Sequence, residues 1–267
     1  MEAKITQDFA FVSGATGGLG RAFSFACARE GNLFLTGRSE QKLAALRGQI
    51  AAQYPQIRIE TFACDLTDAS AREKMFSYIR SLGIRFYRFC SVAGADIQKA
   101  FLRFTQEKLV FCSRVNFEAA VSLARFLLDV RAPDFEMVVI SSISGVYPMP
   151  YFALYSAEKS ALTSFFSSLR VELRGQGVRV TCVEPGGIYT RPDVVENILG
   201  QGLWGKLSAK SPEYVVRKSL SAVKRNRRLI RPGFWNKFIA AVPRILPLGV
   251  RMRFIARRWK KIEKDAF

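Results

Sequence analysis

The sequence predicts an α/β fold built on a doubly wound parallel sheet, and three observations carry that prediction. Short, nearly continuous apolar runs alternate with longer segments of helical periodicity. A glycine-rich turn follows the first apolar run at once. Small or polar residues recur where the later runs stop. Strands that are apolar throughout are covered on both faces, as in sheets whose parallel strands are joined by helices. Right-handed crossovers then place helices on either side of the sheet.

Residues 8–13 (Asp-Phe-Ala-Phe-Val-Ser) form the first strand, ended by Gly14, and a helix follows from Leu19 to Arg29. Leu33-Phe34-Leu35-Thr36 is a second buried strand, residues 40–53 read as a surface helix, and Ile57–Ala63 is a third strand. Thr67 or Asp68 caps a helix over 68–82, because a short side-chain oxygen can accept from a first-turn amide. Phe86–Val92 is the fourth strand, and one long helix is expected over Thr105–Val130. Met137–Ser142, with Val-Val-Ile at its centre, is the fifth strand. A second long helix spans Leu154–Gly175, and Val178–Val183 is the sixth strand. A helix near Pro212–Val223 and a short strand at Arg228–Ile230 close the pattern. The chain thus divides into a body, residues 1–231, and a basic C-terminal extension, residues 232–267.

Composition excludes several classes. With 267 residues, 49% apolar and 24% charged, the chain suits one folded domain rather than a disordered, collagen-like or disulfide-stapled one. It has no histidine, which excludes a Ser-His-Asp or Cys-His pair and any His-ligated metal site. The five cysteines (27, 64, 90, 112 and 182) are scattered without a CxxC pair. They read as reduced core thiols of an intracellular protein, with no metal expected. Met1-Glu2-Ala3-Lys4-Ile5 has no apolar run after its charges, and no stretch approaches the roughly 18–20 apolar residues of a spanning helix. The expectation is a cytoplasmic protein.

Ligands of doubly wound sheets bind beyond the carboxyl ends of the strands. The first such end reads Ser13-Gly14-Ala15-Thr16-Gly17-Gly18-Leu19-Gly20, with glycines 14, 18 and 20 spaced GxxxGxG. A tight turn and close approach to a pyrophosphate both exclude a Cβ, and the following helix points its N-terminus at the anion. This is the logic of a Rossmann dinucleotide site. A plain glycine turn would show the same letters, but the place between strand and helix favours the site. The second strand ends in Thr36-Gly37-Arg38-Ser39, with Lys42 one turn on. A carboxylate here would accept from a ribose 2′-hydroxyl, whereas a guanidinium can pair with a 2′-phosphate. NADP(H) is therefore expected over NAD(H). Asp65-Leu66 ends the third strand, where a carboxylate can accept from an adenine amino group, and Ala93-Gly94 lets the backbone pass close to the cofactor.

Tyr155 and Lys159 are spaced i, i+4 near the start of a helix and share one face. Ser142 ends the fifth strand, Asn116 lies in the long helix before it, and Pro185-Gly186 follows the sixth strand. With these residues in view, the chain resembles the short-chain dehydrogenase/reductase family over about residues 8–230. The matching residues are Gly14, Gly18, Gly20, Asp65, Ala93, Gly94, Asn116, Ser142, Tyr155, Lys159, Pro185, Gly186, Ile188 and Thr190. Thr16, Gly17, Leu19, Arg38, Ser39 and Leu66 complete the expected cofactor contacts. The resemblance implies metal-free, NAD(P)-dependent interconversion of an alcohol and a carbonyl by homodimers or homotetramers. It also implies that Asn116 holds a water linking Lys159 to solvent.

The chemistry can be argued beside the resemblance. Carbonyl reduction needs a hydride, from the nicotinamide, and a proton, from Tyr155. A free phenol has a pKa of about 10, and a nearby Lys159 ammonium and the oxidised nicotinamide are both expected to lower it. Ser142 would hydrogen-bond the substrate oxygen. A catalytically silent NADP(H)-sensing or scaffold protein is the competing class, though such proteins commonly lack the Tyr or the Lys. Ser13 replaces the usual Thr, and Ser91-Val92 stands in place of Asn-Asn, so side-chain hydrogen bonds bracing the fourth strand are expected to be missing. Ala119 stands where Gly is frequent.

Two apolar segments, Ser144–Phe152 and Ile188–Leu207, are the expected pocket walls. They favour a lipophilic carbonyl such as an oxoacyl chain, a sterol-like ketone or a hydrophobic aldehyde. The net charge is +19, and residues 206–267 carry 18 Lys and Arg against 3 Asp and Glu. Met252, Ile255, Trp259 and Ile262 recur at near-helical spacing among arginines and lysines. Such a helix can lie in an anionic membrane interface, here the inner face, or can pack on the body or a sister subunit. An acidic partner such as an acyl carrier protein also fits the charge. No nucleic-acid-binding module is visible, so nucleic acid is not the expected partner.

Overall fold

The computed structural model describes residues 6–190, 202–241 and 246–260. Seven parallel strands form one sheet in the order β3-β2-β1-β4-β5-β6-β7. They are β1 (Thr6–Ser13), β2 (Gly31–Gly37), β3 (Ile59–Ala63), β4 (Phe86–Ser91), β5 (Arg131–Ile140), β6 (Val178–Val183) and β7 (Leu229–Ile230). The order reverses between β1 and β4, so their carboxyl ends flank the crevice that doubly wound sheets use for ligands.

Pleating sorts β1 by size. Phe9 and Phe11 face a cluster with Phe34, Phe86, Phe89 and Phe135, covered by α3 (Ala69–Leu82), α5 (Ala119–Asp129) and α6 (Ala153–Glu172). Ala10 and Val12 face the other side, where α1 (Gly18–Ala28), α2 (Glu40–Gln53) and α8 (Pro212–Lys224) cover Leu33, Leu35 and Val138. Helix starts follow capping chemistry. Asp68 accepts from Ser70 N and Ser211 from Tyr214 N, with Pro212 at the first helical position.

The expected long helix over Thr105–Val130 is instead three pieces: α4 (Gln106–Ser113), a π-turn over Arg114–Glu118, and α5. The wider turn seats Asn116, whose carboxamide is tied to the backbone of Ala95 on both sides (Ala95 N to Oδ1 2.9 Å, Nδ2 to Ala95 O 2.8 Å). Single π-turns inside α-helices frequently mark functional sites. β5 starts six residues earlier than expected, because Arg131-Ala132-Pro133-Asp134 interrupts the apolar run but still pairs through Arg131 with Phe86 of β4. It also stops at Ile140, leaving Ser142 just beyond the strand.

The extension begins with α9 (Phe234–Ala241) and α10 (Leu248–Trp259), preceded in the body by α7 (Gly202–Ser208). Buried Asn236 of α9 donates to the carbonyls of Pro232 (2.6 Å) and Ser208 (3.0 Å), fixing the helix to the body. Met1–Ile5, Pro243, Ile245 and Ile262 lie outside the described residues.

A charged row crosses the sheet. Arg88, 1% exposed, donates to Glu136 Oε2 (2.6 and 2.8 Å) and to Glu30 Oε2 (2.9 Å), and Arg179 donates to Glu136 Oε1 (3.1 Å). Register pairs Arg88 with Glu136 and Glu136 with Arg179 on adjacent strands. Arg88→Leu removes the buried partner of both carboxylates, leaving Glu136 to Arg179 and Glu30 to Lys224, and is expected to lower stability by about 3–5 kcal/mol. Urea unfolding checks this, and a loss under about 1 kcal/mol would mean that Arg179 alone neutralises Glu136.

Candidate active site

The glycine turn between β1 and α1 is a cradle without side chains. Gly14 has φ +64°, and a Cβ there would lie 2.9 Å from Ala93 Cα. A Cβ on Gly18 would lie 2.8 Å from Thr190 Cβ, so the loop after β6 rests on the start of α1. Gly17 caps α1 without a side-chain hydrogen bond, and no acidic residue stands in the first turn, where Leu19 and Gly20 are buried. First-turn amides and the helix dipole are therefore directed at whatever anion enters the turn. The cradle fits the diphosphate of a dinucleotide. Thr16 reaches across to β2, its Oγ1 3.2 Å from the place of a Gly37 Cβ.

Other expected cofactor residues surround this turn. Arg38 is exposed at the end of β2, and Ser39 caps α2 by accepting from Lys42 N. Asp65 accepts from Thr67 N (2.9 Å) and Thr67 Oγ1 (2.8 Å), shaping the turn over buried Leu66. The Pro185 carbonyl accepts from Ile143 N (3.0 Å), tying the loop after β6 to the turn after Ser142. Gly186 packs against Asn236, and Ile188 bridges to Lys210. β4 is braced from β1, where the Ser13 hydroxyl accepts from both Val92 N (3.0 Å) and Ala93 N (3.2 Å).

The structure brings Asn116, Ser142, Tyr155 and Lys159 together. The Ser142 hydroxyl accepts from Ser144 N at 3.1 Å and lies close enough to the Tyr155 phenol to favour its ionised form. Lys159 Nζ lies 5.5 Å from the Tyr155 ring centroid and donates to the Ile140 carbonyl at 3.1 Å. Gly94 is the spacer between Asn116 and Lys159, since a Cβ there would meet Asn116 Oδ1 at 2.9 Å and Lys159 Nζ at 3.3 Å. Burial pulls the Lys159 amine down to about 8, with Glu158 and Asp96 acting against that fall. The Tyr155 phenol is pushed up, first by burial, then by the negative charge of Asp96, while the Ser142 hydrogen bond opposes the rise. Lys159 and the oxidised nicotinamide are together expected to lower this pKa; among the groups of the chain itself, desolvation has the largest influence. A phenol held protonated suits a proton donor.

Two contributors escaped sequence reasoning. Glu158, 6% exposed, accepts from Asn116 Nδ2 through Oε2 at 2.7 Å, while its Oε1 is buried without a hydrogen-bond partner. Burial raises its pKa, and hydrogen bonds from Asn116 and Ser113 oppose this. In the sequence it is one acidic residue on a helix, indistinguishable from a solvated charge. Trp259 is the second. Its ring lies 6.1 Å from Phe152, which stacks on Tyr155 at 4.5 Å and 18°, so the extension reaches the pocket wall. Tyr151, in the same wall, takes φ +65°, a conformation that side chains rarely adopt outside functional turns. Of the second expected wall, Ile198 and Leu199 lie outside the described residues.

A glycine cradle at the switch point of a parallel sheet, with a Ser-Tyr-Lys cluster at the neighbouring strand ends, defines a nucleotide-linked oxidoreductase. Residues 8–197 match the family model described as short chain dehydrogenase, and the chain belongs to that family. It is 32% identical over 201 residues to an uncharacterized oxidoreductase of Myxococcus xanthus, covering 73% of this chain and 78% of that one. It is 28% identical over 205 residues to the 3-ketodihydrosphingosine reductase TSC10 of Eremothecium gossypii, covering 74% and 66%. In fold it is similar to L-sorbose reductase of Gluconobacter frateurii, solved with NADPH and L-sorbose (TM-score 0.76, 23% identity, 87% and 98% covered).

Glu158→Gln keeps an acceptor for Asn116 but deletes the charge that favours the Lys159 ammonium. Lys159 loses its proton as pH rises through about 8, so turnover is expected to fall on that side of the profile. The variant is expected to move this limb to lower pH with little change in thermal stability. An unmoved limb would reduce Glu158 to a packing role.

Proposed function

We propose that this chain is an NADP(H)-dependent oxidoreductase that interconverts a lipophilic ketone or aldehyde and its alcohol, with Tyr155 as general acid–base. The observation that carries this reading is the Ser142–Tyr155–Lys159 cluster beneath an aromatic wall. When bound, the dinucleotide supplies or accepts the hydride. The residues of the chain do the rest. Ser142 hydrogen-bonds the substrate oxygen and fixes it near the phenol. Tyr155 gives its hydroxyl proton to that oxygen in reduction, and takes it back in oxidation. The Lys159 ammonium stabilises the phenolate left behind. Asn116, locked by Ala95 and Glu158, keeps the amine in place through the narrow gap at Gly94.

The NADP(H) preference rests on Arg38, which stands with Ser39 where an NAD-preferring site places a carboxylate. The lipophilic substrate class rests on Phe152, stacked between Tyr155 and Trp259, and on the similarity to the 3-ketodihydrosphingosine reductase of Eremothecium gossypii. A homodimer or homotetramer is the assembly we propose.

Tyr155→Phe is expected to reduce turnover by about 10²–10⁴-fold while NADPH binding, followed by titration calorimetry, survives. Near-wild-type turnover would remove Tyr155 from the chemistry, and absence of turnover by the wild type across ketones, aldehydes and oxoacyl thioesters would favour the silent nucleotide-sensing reading. Arg38→Asp is expected to reverse the cofactor preference in kcat/KM. A wild-type preference for NADH would overturn the role given to Arg38.

A further inference from the structure

Seven of the eleven large apolar side chains exposed among the described residues lie between Phe234 and Phe254. On α9, Phe234, Trp235 and Phe238 form an aromatic ridge with edge-to-face contacts, ring centroids 5.8 Å apart. Leu248, Val250 and Phe254 of α10 are also open to solvent. Beside the ridge, a cleft of about 670 Å³ opens between α8, β7 and α9. Lys218, Arg225, Arg227 and Lys237 stand along it, all exposed, and no acidic residue lines it. In sequence no acidic residue occurs between Glu213 and Glu263.

The inner side of the same extension is bound to the active-site wall. The Tyr147 hydroxyl donates to the Ala240 carbonyl, and the Arg251 guanidinium lies 4.9 Å from the Tyr147 ring centre. At the far end of α10, Trp259 stacks on Phe152, which stacks on Tyr155. One element therefore forms part of the pocket wall on its inner side and presents aromatic side chains and cations on its outer side.

We infer that α9 and α10 form a membrane-seated flank of the active site, with Trp259 on its inner side and Phe234, Trp235 and Phe238 on its outer side. The α9 ridge enters the interface of an anionic bilayer, the cations along the neighbouring cleft bind its lipid phosphates, and lipophilic substrate reaches Tyr155 from the lipid side. Aromatic side chains flanked by Lys and Arg are the composition of an interfacial helix. No helix among the described residues is long and apolar enough to cross a membrane. A second copy of the chain is a poor occupant, because a two-fold contact sets each patch against its own kind and would oppose like cations. The route for substrate rests on the oxidoreductase reading above; attachment to the bilayer does not.

The test uses the full chain and two sets of vesicles, pure phosphatidylcholine and a mixture containing about one third phosphatidylglycerol. The wild type is expected to float with the anionic vesicles and much less with the neutral ones. Phe234→Ser/Trp235→Ser/Phe238→Ser is expected to lower partitioning roughly tenfold or more. Lys218→Glu/Arg225→Glu/Arg227→Glu is expected to abolish the preference for anionic lipid. Both variants should keep wild-type circular dichroism and wild-type reduction of a small water-soluble ketone without vesicles, while reduction of a long-chain ketone embedded in vesicles falls with the loss of binding. Absence of wild-type flotation, or equal flotation of all three proteins, overturns the inference. So does an oligomer that the aromatic variant dissociates in a wild type that ignores vesicles, since the ridge would then belong to a sister subunit. Flotation without reduction of any carbonyl would sink the oxidoreductase reading and leave the attachment standing.

Discussion

The site is organised around a buried amine. Lys159 is 4% exposed, and its Nζ has left water for one carbonyl, that of Ile140 at the end of β5. A lone ammonium in such a place costs several kcal/mol, so its surroundings must favour the charge or lose it. The carboxylates of Glu158 and Asp96 favour it, and burial opposes them. The balance leaves an amine able to exist in either state near neutral pH. Everything else in the site is placed with respect to that nitrogen: the phenol one helical turn before it, the Asn116 carboxamide across the gap at Gly94, and the serine two residues past the strand whose last carbonyl it holds.

The sheet makes this arrangement affordable in geometry. The ends of β1, β4, β5 and β6 converge on one edge, and short backbone links hold them there. Ser13 clamps β4 to β1, Ala15 N donates to Thr36 O, and Ile143 N donates to Pro185 O. Beneath them, the sorting of large phenylalanines to one face and small residues to the other gives two dense clusters that allow little relative movement. Rigidity at the strand ends is what lets side chains from distant parts of the sequence meet within hydrogen-bonding distance.

Most of the fold was legible because its signals are local. Apolar runs mark strands, and Asp68 or Ser211 beside a helical period marks a helix start. The glycine spacing and the pair Tyr155 and Lys159 were legible for the same reason, since each lies within one turn or one helix face. What was hidden depends on contacts across the sheet. Nothing in residues 105–130 announces a π-turn; it exists because Asn116 must reach Ala95 and Glu158. Glu158 looks like a surface charge until α4 covers it, and Arg88 looks like a break in a strand until Glu136 and Glu30 are set beside it. The weight of desolvation on the Tyr155 phenol was hidden because a sequence shows neighbouring charges but not the water excluded around them.

The contact between Gly18 and Thr190 has a consequence for how the molecule comes into being. The two residues touch although nearly two thirds of the chain separates them. The rim of the phosphate cradle is therefore not a local motif that a nascent chain could complete early. Pairings of such sequence separation form slowly, and here β4, β5 and β6 must all be in place before the last loop can settle. Nucleotide recognition is thus deferred until β6 and the loop after it have been made, and a shorter chain has little with which to hold the coenzyme.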